Sequence, residues 1–293
     1  MSDPAALVAS IEAKAELRRT PCGSGSMVWH IWGNGPPLAL LHGGYGSWTH
    51  WIRNVEPLSR HRRVLAADIP GLGDSDAPPE PYDSPRIAAI VADGLANLLR
   101  PEERVDIAGF SFGGVIGGHV AERLGSRVRN LVLCGSGGLG IPRRAKVELV
   151  NWRMYRGKEK QRAAHRENLG ILMLADPANI DELAVYLQVH NAERARTKSR
   201  PLSRVASLRE ALPRIGARLH GIWGEHDITA RDALDEHAQL LRSLQPEATF
   251  TVIPGAGHWV QYEAPEAFNR ALESIASDVT PTERSESRGA GDQ

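Results

Sequence analysis

The sequence is short of cysteine, of net charge and of long apolar runs, and each shortage excludes something. Only Cys22 and Cys134 occur in 293 residues, and they form no C-x-x-C. A chain this long can bury its own core without a disulfide framework, so two free thiols are expected. Lys plus Arg number 35, and Asp plus Glu number 35. The formal charge is therefore zero, which removes the electrostatic case for a nucleic-acid or anionic-membrane partner. No stretch approaches the roughly 18 uninterrupted apolar residues of a membrane span. The start, MSDPAALVASIEAKAELRR, carries acids early and helical spacing, without a basic segment leading into an apolar one. It does not read as a secretory signal, so a cytoplasmic location is expected. A small molecule is the expected partner, a homo-oligomer is compatible with the composition, and neither cofactor nor metal is expected.

Apolar residues make up 42% of the chain, enough for one α/β domain with an insertion or for two small domains. Residues 4–17 have amphipathic helical spacing. SMVWHIW (26–32) and PPLALLH (36–42) read as strands joined by a GNG turn, which predicts a hairpin. HWIRNVEPL fits a helix, and from about residue 64 to 135 strands alternate with helices, the helices at 86–99 and FGGVIGGHVAERLG. That alternation predicts a parallel sheet with crossover helices. Residues 140–210 break the pattern: they are rich in Arg, Lys, Glu and Leu, with helices expected at 144–156, 158–169 and 180–197. Strands return at 218–224 and 248–255, with helices at 231–243 and 264–277. The organisation expected is an α/β core (1–139 and 211–278) interrupted by a helical cap (140–210), with a polar, disordered tail (279–293).

One serine stands out. In VDIAGFSFGGVIGGH, Ser111 has Gly109 two residues before it and Gly113 two residues after, between a predicted strand and a predicted helix. G-x-S-x-G in that context fits a sharp turn that lifts a nucleophilic hydroxyl above a sheet edge. The same glycines could also serve only a tight turn. A serine hydroxyl needs a base, and the base needs an orienting acid. Downstream, GIWGEHD carries Asp227 and TVIPGAGHWV carries His258, each just past a predicted strand. Open α/β sheets gather their functional groups there. Glu225 is the competing acid, Asp227 could equally cap the following helix, and His258 could be an ordinary loop histidine. The strand ending at Cys134 is followed by GSGGLG, which offers no carboxylate. An oxyanion would need backbone donors. Phe112 N–H follows the nucleophile, and Gly44 N–H lies in the glycine loop LLHGGYG after an early strand. Tyr45, Trp48, Trp51 and Trp259 adjoin these loops in sequence and are candidates for a substrate pocket. Trp152, Met154, Tyr155 and 169–174 could line that pocket or pack the cap onto the core.

Together HGGYGSWTHW, DIPGLGDSD, GFSFGG, GIWGEHD and GAGHWVQYEAPEAFN resemble the α/β-hydrolase superfamily over nearly the whole chain. The resemblance implies an eight-stranded, mostly parallel sheet with a helical cap inserted after the sixth strand. It implies Ser111 as nucleophile, Asp227 as acid and His258 as base. A serine at the turn sets the chain apart from relatives that use aspartate there, such as haloalkane dehalogenases. GHWVQYE and LMLADPANIDELA are similar to the meta-cleavage-product hydrolases, which split carbon–carbon bonds; simple esterases share GHW. Phe110 departs from the small polar residue those carbon–carbon hydrolases carry before the serine. They also hold the substrate carboxylate with a cap arginine, a place for which this cap offers Arg194 and Arg196. The expected activity is hydrolysis of a small carboxylic ester through an acyl-enzyme. Carbon–carbon hydrolysis is the alternative, followed by perhydrolase activity on the same triad and by a non-catalytic binding protein of the same fold.

Overall fold

The apolar runs become the inner strands of one sheet. The structure, a computed structural model, describes residues 3–277. The strands are β1 Glu16–Cys22, β2 Gly25–Trp32, β3 Pro37–Leu41, β4 Arg63–Ala67, β5 Val105–Phe110, β6 Val128–Cys134, β7 Arg218–Gly224 and β8 Thr249–Ile253. They form a single eight-stranded sheet in the order β1-β2-β4-β3-β5-β6-β7-β8. β1–β2 and β2–β4 are antiparallel, and every pairing from β4–β3 to β7–β8 is parallel.

The core helices are α1 Pro4–Glu12, α2 Val55–Ser59, α3 Ser84–Leu98 and α4 Phe112–Leu124. The insertion between β6 and β7 holds α5 Lys158–Asn168, α6 Glu182–Arg194, α7 Ser199–Arg204 and α8 Ser207–Ala211. After β7 come α9 Leu234–Leu244, α10 Val260–Glu263 and α11 Pro265–Ser277. β3 and β5 are buried at every residue, so neither shows an apolar/polar alternation; the one charge in β5, Asp106, is paired with Arg62 and Arg129. Successive side chains still face opposite layers. Ala39, Ile107 and Leu133 pack with α3 and α4, while Leu40, Ala108 and Val132 pack with α2 and α11. The chain runs from β3 to β4 on one side, then crosses over through α3 to β5 on the other. β3 and β5 are thus adjacent strands whose connections leave in opposite directions. A crevice opens at such a point beyond the strands' carboxyl ends.

Four local expectations fail for identifiable reasons. The first helix stops at Glu12, and Glu16–Cys22 is an edge strand instead. Its outward charges gave no apolar alternation to read, and charge suits an exposed edge. SMVWHIW and PPLALLH are not a hairpin. β2 pairs with β1 and β4, while β3 sits between β4 and β5. The true hairpin turns at Gly23, whose φ of +59° suits glycine. Residues 144–156 form no α-helix, only a short turn at Trp152–Met154. Side chains take the backbone partners there: Asn168 binds both Val150 N (2.7 Å) and Val150 O (2.9 Å), and Asn151 accepts from Arg153 N. The helix expected to reach 197 ends at Arg194, because Arg196 and Thr197 donate their N–H groups to Gly71 O at 2.8 and 3.1 Å. The tail expected to be disordered lies outside the described residues. Among the described residues no helix is long and apolar enough to cross a membrane.

Candidate active site

Ser111 sits at φ 52°, ψ −109°, between the last residue of β5 and the first of α4. A side-chain-bearing residue held there costs about 1–3 kcal/mol, so the surroundings must enforce it. They do so through the serine's own backbone. Ser111 N–H donates to Cys134 O at 2.8 Å, and Ser111 O accepts from Gly114 N at 3.1 Å and Gly137 N at 3.3 Å. The flanking glycines have a steric cause. A Cβ on Gly109 would lie 2.4 Å from Gly113 O, and one on Gly113 would lie 2.1 Å from Leu41 O. Backbone cannot yield as a flexible side chain can, so α4 reaches this close to β5 and β3 only without those side chains. Gly113→Ala is therefore expected to destabilise the fold by about 3 kcal/mol or more. A denaturant midpoint close to the parent's would contradict that reading.

Ser111, picked out by its flanking glycines, converges with Asp227 and His258, picked out by strand-end position. Ser111 Oγ lies 3.1 Å from His258 Nε2, and His258 Nδ1 lies 2.9 Å from Asp227 Oδ2. Topology brings them together: Asp227 follows β7, His258 follows β8, and those strands pair in parallel. The other oxygen, Asp227 Oδ1, accepts from Thr229 N and Thr229 Oγ1, both at 2.8 Å. Burial alone would raise the pKa of Asp227. The charge of His258 and the hydrogen bonds from His258 and Thr229 outweigh it, and the net shift is downward. Glu225 is elsewhere: half exposed, it accepts from Gly255 N at 2.8 Å.

The glycine loop after β3 is clamped by two buried histidines. Gly43 N–H donates to His50 Nδ1 at 3.2 Å, and Gly43 O lies 2.7 Å from His42 Nδ1. His42 Nε2 accepts from Ile69 N at 3.0 Å, so its single ring proton must sit on Nδ1 and point at Gly43 O. Burial lowers the pKa of both rings, which suits these neutral forms. The Gly43 carbonyl and the Gly44 N–H share one planar peptide. Pinning one aims the other. No protein acceptor among the described residues engages the N–H of Gly44 or of Phe112.

Sequence neighbours of these loops fare unevenly as pocket walls. Tyr45, at φ 54°, lines a cavity of about 370 Å³ together with Gly44, Trp152, Met173 and Arg200. Trp48 and Trp259 do not line it. Trp48 is 3% exposed and packs against His30 and Trp32. Trp259 is 1% exposed, stacks on Tyr262 and donates its indole N–H to His50 O. Trp51 is likewise core, against Phe268. Adjacency in sequence placed these rings near the site, and the direction of each ring turned it inward. Of the cap residues, Leu172 and Met173 line cavities beside the triad, whereas Met154 is exposed.

The arginines also sort differently from expectation. Arg194 is paired with Asp74 and meets His190 Nε2 at 2.6 Å, and Arg196 binds Ser75 O. Both tie the cap to the loop after β4. Arg143, Arg200 and Arg204 have no ion pair or side-chain hydrogen bond among the described residues, and they lie near one another. Burial, then the charges of Arg204 and Arg200, lower the pKa of Arg143, with Asp227 acting in the opposite sense. Arg143 and Arg204 share a cavity of about 510 Å³ with Ser136, Gly137 and Thr229, residues that touch the Ser111 turn and Asp227. Sequence offered no signal for this cluster, because the count of arginines does not tell which have partners. Thr229 was also missed, although a hydroxyl two residues after an aspartate is a common local cap.

A family model described as "Alpha/beta hydrolase family" matches residues 38–271. Among curated relatives, a dihydrolipoyllysine-residue acetyltransferase component of an acetoin cleaving system from Pseudomonas putida is 29% identical over 81% of this chain. The match spans 62% of that protein's length. A 2-hydroxy-6-oxo-6-phenylhexa-2,4-dienoate hydrolase from Burkholderia cepacia is 27% identical over 81% of this chain and 86% of its own. Among solved structures, an esterase from Rhodococcus sp. ECU1013 superposes with a TM-score of 0.76 at 22% identity, covering 91% of this chain and all of the esterase. That likeness concerns the fold.

Proposed function

Because this chain belongs to the alpha/beta hydrolase family, we propose that it is a serine hydrolase cleaving a small carboxylic ester that carries an anionic group. The observation that carries the proposal is the hydrogen-bonded line from Ser111 Oγ through His258 to Asp227. In this reading Ser111 Oγ attacks the ester carbonyl carbon while His258 Nε2 takes its proton. Asp227 holds the imidazolium by its Nδ1–H. The carbonyl oxygen, now negative, is held by the N–H groups of Gly44 and Phe112. The tetrahedral adduct expels the alcohol, which takes its proton from His258. Water, deprotonated by His258, then attacks the acyl-enzyme, and as the acid leaves His258 returns the proton to Ser111 Oγ.

The unpaired arginines support the anionic group. Arg143 and Arg204 stand exposed at one cavity and Arg200 at a second, and their like charges repel one another, a repulsion that arginine does not relieve by deprotonating. A carboxylate on the substrate would relieve it by bidentate pairing. Hydrolysis of a carbon–carbon bond in a diketo acid is the second reading. The same arginines favour it, since such substrates are carboxylates, and the Burkholderia cepacia relative is named for one.

A panel of p-nitrophenyl acetate, p-nitrophenyl butyrate, mono-p-nitrophenyl succinate and one dienoate tests both readings. The succinate half-ester is expected to be the best ester. Arg143→Gln and Arg204→Gln should each raise its KM about tenfold, equivalent to about 1.4 kcal/mol, and leave the acetate within twofold. Equal effects on acetate and succinate would remove the anionic group from the proposal. A dienoate turned over faster than every ester would shift the assignment to carbon–carbon hydrolysis. Absence of fluorophosphonate labelling at Ser111 would leave a non-catalytic binding protein.

A further inference from the structure

Ser199 opens α7, where the cap chain returns toward the core. It is 1% exposed, and its Oγ has no hydrogen-bond partner among the described residues. A buried hydroxyl left in that state costs about 1–3 kcal/mol, a cost alanine would not carry. The segment leading to it is held firmly. Arg196 and Thr197 N–H bind Gly71 O, Thr197 Oγ1 donates to Pro70 O at 2.8 Å, and Ser199 N–H donates to Thr197 O at 3.1 Å.

The hydroxyl is delivered to a definite place. A Cβ on Gly44 would lie 2.5 Å from Ser199 Oγ, 3.2 Å from Ser199 Cβ and 3.8 Å from Phe112 Cβ. Ser199 Oγ therefore stands against Gly44, on the side where Gly44 also approaches Phe112. Covalent geometry at Gly44 keeps Oγ within about 5 Å of the Gly44 nitrogen. The same contact gives Gly44 a reason to be glycine: a side chain there would occupy the place of the serine hydroxyl.

We propose that Ser199 is a third hydrogen-bond donor to the oxyanion, supplied by the cap rather than by the core. This rests on the serine-hydrolase reading. The hydroxyl proton points at the carbonyl oxygen as negative charge builds on it, and the charged acceptor strengthens the bond relative to the ground state. The oxyanion site is then complete only with the cap seated, so the cap takes part in the chemistry as well as in enclosing it.

Ser199→Ala and Ser199→Thr, compared with the parent on p-nitrophenyl acetate, test this. Ser199→Ala is expected to lower kcat roughly 10²-fold with KM nearly unchanged. Affinity for a trifluoromethyl ketone, which forms the oxyanion adduct, should fall by a similar factor, while acetate inhibition stays the same. Thermal stability should hold or rise, because the partnerless hydroxyl is gone. Ser199→Thr retains the donor and should recover part of kcat. Ser199→Ala with kcat and ketone affinity within twofold of the parent overturns the role. So does a loss of stability paralleling the loss of activity, which marks a structural hydroxyl. If the parent itself turns over no ester and takes no fluorophosphonate label, the serine-hydrolase reading falls first, and this role with it.

Discussion

Asp227→Asn is expected to lower kcat about 10⁴-fold on the best ester, with the fold intact. The loss follows from which atom the asparagine must turn toward His258. Asp227 Oδ1 accepts two hydrogen bonds from Thr229, one from N–H and one from Oγ1–H. An asparagine keeps those bonds only by placing its oxygen there, which directs its NH₂ at His258 Nδ1. A donor facing Nδ1 requires Nδ1 to accept, so the ring proton moves to Nε2. Nε2 then has no lone pair for the Ser111 proton. The opposite orientation sets NH₂ against the Thr229 N–H. Glu225→Gln should change kcat less than about threefold, because its carboxylate serves Gly255 N–H and does not approach His258. Active-site titration beside kcat separates chemistry from folding. If the two variants exchanged effects, the acid would be Glu225.

The depressed pKa of Asp227 adds a pH signature. Its folded value lies below the ordinary carboxylate value. The stability it contributes is therefore fully present above that ordinary value and is lost as pH falls through the folded one. Asp227→Asn has no carboxylate to protonate at this site. Its acid unfolding should lack this contribution, and urea midpoints measured from pH 7 downward read the difference.

The parts of this site that sequence made legible are the parts set by local chemistry. A buried parallel strand is mostly apolar, and a sharp strand-to-helix turn at Ser111 must have glycine where backbone meets backbone. Both constraints leave marks within ten residues or so. Strand-end position then selected Asp227 and His258. What stayed hidden depends on long-range pairing. GNG looks like a hairpin turn, yet β3 leaves β2 and inserts beside β5, about 65 residues away in sequence. Trp48 and Trp259 follow the loops of Gly44 and His258, but the direction of a ring is set by packing. Arg194 and Arg196 have the composition of a substrate clamp and serve as ties to Asp74 and Ser75. Arg143, Arg200 and Arg204 are separated by up to 61 residues and become one cluster only through the fold.

Ser111→Ala and Ser111→Gly should separate the two roles of this position. Both lose the nucleophile, so both should lower kcat by roughly 10³-fold or more, and neither should take a fluorophosphonate label. Their stabilities should differ. Alanine keeps a Cβ and therefore keeps the strained backbone at φ 52°, ψ −109°. Glycine meets no such penalty there, so Ser111→Gly should be more stable than Ser111→Ala by about 1 kcal/mol, after allowing for the greater freedom of glycine in the unfolded chain. Urea midpoints of the two variants read that difference directly. Near-native turnover by Ser111→Ala would remove the nucleophile assignment. Equal stability of the two variants would mean that the turn imposes no strain, and the backbone bonds from Cys134, Gly114 and Gly137 would then need another explanation. The combination expected, lost turnover with gained stability on going to glycine, is the mark of a residue placed for chemistry at the expense of the fold.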